Sequence, residues 1–126
     1  ETRWGPHAEI HPIPSGISVI TSSDRNDMSS ARIRTYLPQF EKADVPQPNE
    51  GNWSAWKSLL ASRIFDPNDG PHGAMLISSE SGFGTVSSSL IALPSPNYVN
   101  SQYGVKPIYL FSKAVPNLTN YQPVNL

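Results

Sequence analysis

Three consecutive serines sit inside an apolar stretch, in the run Gly84-Thr85-Val86-Ser87-Ser88-Ser89-Leu90-Ile91, which is entered through Gly82-Phe83 and closed by Ala92-Leu93-Pro94. Serine is poor in strand interiors and costly to bury without a hydrogen-bond partner. Three together between Val86 and Leu90 therefore imply either close backbone packing or a polar site facing a cavity. In a strand, Thr85, Ser87 and Ser89 share one face while Val86, Ser88 and Leu90 share the other. None of these serines lies in a Gly-x-Ser-x-Gly elbow, the strained turn that exposes a hydrolase nucleophile. An amino-terminal nucleophile would need Cys, Ser or Thr with a free α-amine as its base, and position 1 is Glu1. A second constellation, Asp24, Asn26, Asp27 and Arg32, falls in a polar loop that runs into a helix start, where side chains and free backbone amides can meet at a pocket mouth. The same residues can instead cap the helix and pair Asp27 with Arg32, and both readings stay open.

Metal chemistry is less well supplied. His7, Glu9 and His11 share one face of an extended segment through their two-residue spacing, but the remaining ligands and supporting hydrogen bonds of a metal site have no obvious source, so they read as a solvated face. Asp66, Asn68 and Gly70 resemble part of a calcium loop without its glycine at the sixth position or its closing acidic ligand, and read as a turn.

The elements that must hold these groups are short. Residues 8–13 and 17–21 read as two strands around a turn at Pro14 and Gly16. The loop of residues 21–27 then supplies Ser29 or Ser30 as a helix cap. Ile33, Tyr36 or Leu37, and Phe40 follow at helical spacing, and Pro38 should kink or end that helix. Residues 43–51 form an exposed connector. Asn52 caps a second helix whose apolar stripe is Trp53, Trp56, Leu60 and Ile64, read as packing rather than as a ligand box. Residues 74–78 and 83–93 have the spacing of a hairpin that carries the serine run, residues 94–106 form a polar loop, and residues 108–111 form a strand that could pair beside the hairpin. Residues 116–126 look extended and irregular. Strands, then helices, then strands argue for an α+β chain with an antiparallel sheet.

Composition narrows the partners. The chain has 126 residues with nine basic and ten acidic side chains, a formal charge of −1, which disfavours nucleic acid or an anionic membrane as the main partner. It has no cysteine, so disulfides, thiolate metal sites and a thiol nucleophile must come from elsewhere if they are used at all. No stretch approaches the roughly twenty apolar residues of a spanning helix, no membrane insertion is expected, and a cytoplasmic location fits. Asn52-Trp53-Ser54 and Asn117-Leu118-Thr119 are glycosylation sequons that would matter only in a secreted eukaryotic context.

The run from Gly82 to Pro94 resembles the C-terminal signature of the NRDE family, relatives of transport and Golgi organisation protein 2. Pro14-Ser15-Gly16-Ile17-Ser18-Val19-Ile20-Thr21, Asp24-Arg25-Asn26-Asp27, Ser30-Ala31-Arg32-Ile33-Arg34 and Trp53-Ser54-Ala55-Trp56-Lys57-Ser58-Leu59-Leu60 extend the likeness over most of residues 7–126. That family is named for an Asn-Arg-Asp-Glu tetrad near its N-terminus, begins with Met-Cys, and has the four-layer αββα fold of N-terminal-nucleophile hydrolases. Neither the tetrad nor any Cys occurs here. The resemblance implies that residues 1–126 are a single C-terminal portion, half of a four-layer αββα sandwich with antiparallel sheets and two helices on an outer face. An N-terminal half of the same protein, separate or cleaved, would complete it and bring the Cys nucleophile.

The implied chemistry is hydrolysis of a C–N bond in a small-molecule ligand, with Thr21, Ser22, Thr85, Ser87 and Ser89 lining the site or donating to an oxyanion, beside Asp24 and Asn26 from the loop. Asp27 and Arg32 remain as cap or ion-pair residues. Two positions depart from better-known relatives: Val86 stands in place of an Arg, and Ser22 in place of an Asn. A hydroxyl can still donate in an oxyanion hole. The alternative implication is a non-catalytic binding or trafficking module for haem or a lipid-like metabolite. There is no Cys-Pro haem motif, His7, His11 and His72 have no context marking an axial ligand, and no cofactor is expected. The wording Gly84-Thr85-Val86-Ser87 resembles bacterial members.

Overall fold

The computed structural model describes residues 8–78, 80–99, 105–113 and 120–126. Its first helix, α1 (Ala31–Lys42), begins where the sequence places it: the Ser30 hydroxyl accepts the Ile33 N–H at 3.4 Å, satisfying one of the first-turn donors that no helical carbonyl can reach. Ile33, Tyr36, Leu37 and Phe40 form its buried face. Each such side chain contributes roughly 1.5–3 kcal/mol when fully removed from water.

Pro38 does not end this helix, which runs on to Lys42. The hydrogen bond that proline deletes is the one to the Arg34 carbonyl, four residues back. Both Pro38 and Arg34 are exposed, so the interruption falls on the water-facing side while the buried stripe stays intact.

The connector contains a 3-10 turn at Pro48–Glu50, flanked by a bridge between Gln47 and Asn52 and turned by Gly51 at φ 68°. Helix α2 (Ser54–Leu60) follows, and Asn52 Oδ1 accepts both the Ser54 N–H at 3.2 Å and its hydroxyl at 2.9 Å. Trp53 is buried at 4 % exposure, and Trp56 meets Phe40 of α1 edge-on, with ring centroids 5.4 Å apart. Ile64, the last member of the stripe, lies beyond the helix and is 71 % exposed. Tyr36, wholly buried, ties the two segments together: its hydroxyl reaches the Ile64 carbonyl at 2.5 Å and the Ser62 hydroxyl at 2.9 Å. Residues 66–70 form the expected turn, with Asp66 Oδ1 accepting the Asn68 N–H. Arg34 reaches that turn through a 2.7 Å ion pair with Asp69.

The sheet is antiparallel, three-stranded and ordered β1 (Ser87–Ala92), β2 (Ile108–Lys113), β3 (Gln122–Pro123). Ser87 lies opposite Lys113, Leu90 opposite Leu110 and Ala92 opposite Ile108. Pro123 sits on the edge strand, where a missing N–H is tolerated. Along β1, Leu90 is buried and Ser88 and Ala92 half-buried, while Ser87, Ser89 and Ile91 are exposed. A single-turn helix, α3 (Pro96–Val99), lies in the loop between β1 and β2.

The chain is therefore α+β with an antiparallel sheet. Three expectations need correction. Residues 8–13 and 17–21 are not strands: Ile10 is 98 % exposed, and the Val19 backbone bonds Asn26 rather than a neighbouring strand. Residues 74–78 are not a strand either. The pairing of the expected hairpin contracts to one residue, where Thr85 N–H donates to Ile77 O at 2.9 Å and Thr85 Oγ1 accepts the Ile77 N–H at 2.9 Å. A side chain here takes the acceptor role that a ladder carbonyl would have, which ends the pairing. Third, the extended C-terminal stretch is not wholly irregular, since Gln122–Pro123 joins the sheet; residues 116–119 of it lie outside the described residues. Among the described residues, no helix is long and apolar enough to cross a membrane.

Candidate functional site

Two clefts border β1. The first, of about 360 Å³, is lined by Arg32 of α1, Leu60 at the end of α2, Met75, Ile77, and the motif residues from Phe83 to Ser88 other than Val86. Two glycines shape the approach to it, of which Gly84 lines it. Gly82 adopts φ 87°, a left-handed conformation with open space around it, and turns the chain. Gly84 does something different: a Cβ there would lie 2.7 Å from the Ile77 carbonyl oxygen. Only glycine lets the chain pass close enough for Thr85 to bond Ile77 through both its backbone and its hydroxyl. Thr85 thus lines the cleft but spends its hydroxyl on Ile77, with a further contact of 3.5 Å to Met75 O.

Of the three serines, Ser87 and Ser88 line this first cleft and Ser89 does not. The Ser88 hydroxyl accepts from Tyr121 Oη–H at 2.8 Å, and Lys57 Nζ lies 5.2 Å from the Tyr121 ring centroid, linking α2 to the more buried face of β1. Ser89 Oγ lies 3.4 Å from Tyr109 Oη on the exposed face. Ser87 is exposed at the cleft's edge. Val86, where relatives of the resembled family carry an arginine, is 80 % exposed. Arg32 instead brings a guanidinium to the cleft from a different element, held by its Nε–H on Ala74 O at 3.0 Å.

The loop constellation is not gathered at this cleft. Asn26, at φ 57°, clasps Val19: its side-chain oxygen accepts the Val19 N–H at 2.8 Å and its own N–H donates to Val19 O at 2.9 Å. Thr21 Oγ1 accepts the Ser23 N–H, and Ser22 and Asp24 are exposed. Asp27 Oδ1 accepts the Ser29 N–H at 2.9 Å. That backbone bond, with a second from the Ser29 side chain, holds the Asp27 carboxyl below its ordinary range. Asp27 therefore serves the helix entry as a cap, whereas Arg32, which one of the two open readings paired with it, turns to Ala74. His11 touches Glu9 at 3.4 Å with both side chains exposed; His7 and Asn117 lie outside the described residues.

The second cleft was missed from sequence. It is a groove of about 400 Å³ lined by the segment from Ile17 to Ile20, by Phe40, Trp53, Trp56 and Leu60, by Met75, and by Ser89 to Ile91 of β1. The aromatic stripe of α2 was the available signal, and periodicity favoured packing over a ligand box for it. No family model, curated protein or solved structure matches the chain.

Proposed function

We propose that this chain is the C-terminal half of an NRDE-type amidohydrolase, supplying one wall of a site for a small-molecule amide whose Cys nucleophile comes from an N-terminal half, separate or cleaved. The observation that carries the reading is the first cleft, where Arg32, the glycine-built turn and the exposed Ser87 hydroxyl meet at the start of β1. A guanidinium beside a hydroxyl in a cleft of this size suits a ligand with a carboxylate or a carbonyl that gains negative charge on attack. The resemblance supplies the nucleophile and the reaction class, and the antiparallel sheet with its exposed β1 face at Ser87, Ser89 and Ile91 offers a surface against which the second half would lie. Thr85 holds the turn, and Ser87 and Arg32 are the residues assigned to the ligand.

The test is turnover of a panel of small amides by the two halves together. Loss of turnover on replacing the donated Cys with Ala, and a raised KM in Arg32→Gln, would support the assignment. Turnover insensitive to both changes would refute it.

A further inference from the structure

Arg32 and Arg34 stand two residues apart at the start of α1 and end in different surroundings. Arg34 is exposed and pairs with Asp69 at 2.7 Å. Arg32 is half-buried, and among the described residues it meets no carboxylate. Its Nε–H donates to Ala74 O at 3.0 Å, which leaves the N–H groups of Nη1 and Nη2 without a protein acceptor among those residues. These two nitrogens are not sealed in the packing: among the described residues, Trp53 Nε1 is the only side-chain polar atom both buried and unpartnered. The anchor also fixes where they are, because Ala74 is joined to Met75, and Met75 and Ile77 line the first cleft together with Arg32. The nearby acceptors are already used. Ala74 O takes Arg32, Ile77 O takes the Thr85 N–H, and Met75 O lies 3.5 Å from the Thr85 hydroxyl. Ser88 accepts from Tyr121 Oη–H, so its own proton is left to donate. What the cleft offers a ligand is therefore a cation and donors beside the apolar side chains of Leu60, Met75, Ile77 and Phe83.

We propose that the first cleft selects a small organic carboxylate, whose anion takes the Arg32 Nη1 and Nη2 fork and whose apolar body covers Leu60, Met75, Ile77 and Phe83. A planar guanidinium matches a carboxylate through two parallel N–H···O bonds, and a head group already anchored through Nε loses little freedom on forming them. The volume of about 360 Å³ accommodates a body of one ring and a short chain. This inference rests on the cleft being the ligand site of the proposed function and narrows its substrates to amides that carry a free carboxylate; it does not need the donated nucleophile.

The test titrates the purified protein with 4-phenylbutyrate and its neutral counterpart 4-phenylbutanamide at pH 7 and low salt, by calorimetry and by the arginine Nε–H signals in NMR. The acid should bind roughly ten- to a hundredfold more tightly than the amide, the factor expected for hydrogen bonds to a charged group. Acetate, which has the anion without the apolar body, should bind more weakly than the acid. Arg32→Gln should bring the acid down to the affinity of the amide, whereas Arg25→Gln, which removes an exposed arginine from the loop before α1, should leave the preference intact. If the Arg32 variant does not fold, the Arg32 Nε–H signal of the unaltered protein decides, shifting with the acid and staying put with the amide. Absence of binding, equal affinities for acid and amide, or a preference that survives Arg32→Gln would overturn the proposal. Equal turnover of neutral and carboxylate-bearing amides by the two halves would also overturn it while leaving the amidohydrolase reading in place. Retained preference for the acid without turnover of any amide would uphold it and sink that reading instead.

Discussion

Replacing Gly84 with Ala tests the close approach that shapes the first cleft. The new Cβ would sit 2.7 Å from Ile77 O, with the Ser78 Cα 3.8 Å away, so the obstacle is backbone and cannot swing aside like a flexible side chain. Either residue 84 or residue 77 must move, and movement strains the two 2.9 Å bonds that Thr85 makes to Ile77. Overpacking of this kind costs about 1–3 kcal/mol, and each weakened bond adds about 1 kcal/mol. The expected loss is about 3–5 kcal/mol, or roughly 12–20 °C in Tm for a domain of this size. Two companions separate the causes. Thr85→Val removes only the hydroxyl bond and should cost about 1 kcal/mol. Gly82→Ala meets no atom within 4 Å but must adopt φ 87°, and should cost about 1–2 kcal/mol from backbone strain alone. Urea midpoints rank the three variants, and amide exchange at Ile77 reports the bond itself. A Gly84→Ala protein within 0.5 kcal/mol of the parent, with Ile77 still protected, would refute the reasoning.

Tyr36→Phe removes the buried hydroxyl that spans to Ile64 O and Ser62, leaving polar atoms without their partner, and should cost about 1–3 kcal/mol by chemical denaturation with no change in helix content by circular dichroism. Asn26→Ala should destabilise more than Asn26→Gly, because Gly tolerates φ 57° and loses only the side-chain clasp on Val19; equal losses would deny the backbone contribution. Asp27, with its carboxyl held below the ordinary range by Ser29, contributes stability that is present above the unfolded pKa and lost as pH falls through the lower folded value. Asp27→Asn should therefore lower stability in the neutral region, flatten the acid limb below about pH 4 and leave the most acidic end comparatively unchanged.

Helix α1 was legible because four apolar residues at helical spacing and a Ser cap agree on one answer, and a proline on the wet side could not outvote them. The strand at 108–111 was legible for a similar reason: an apolar run has few ways to be buried, and pairing with β1 is one. The amino-terminal strands misled because alternation shows that a segment could pair without showing that a neighbour exists; Val19 found Asn26 instead. Within the motif, sequence grouped Thr85, Ser87 and Ser89 by strand parity, yet the chain becomes a strand only at Ser87, and Thr85 is absorbed by Ile77. Arg32 could not be placed beside the motif from sequence, since 42 residues separate it from the Ala74 carbonyl that holds it.

The central claim, that this chain is one half of a two-part amidohydrolase site, is tested most directly by intact mass spectrometry of the purified protein under denaturing conditions. The proposal predicts a second polypeptide of comparable size that begins with Cys. A single species of 13.8 kDa that nonetheless unfolds cooperatively would contradict it.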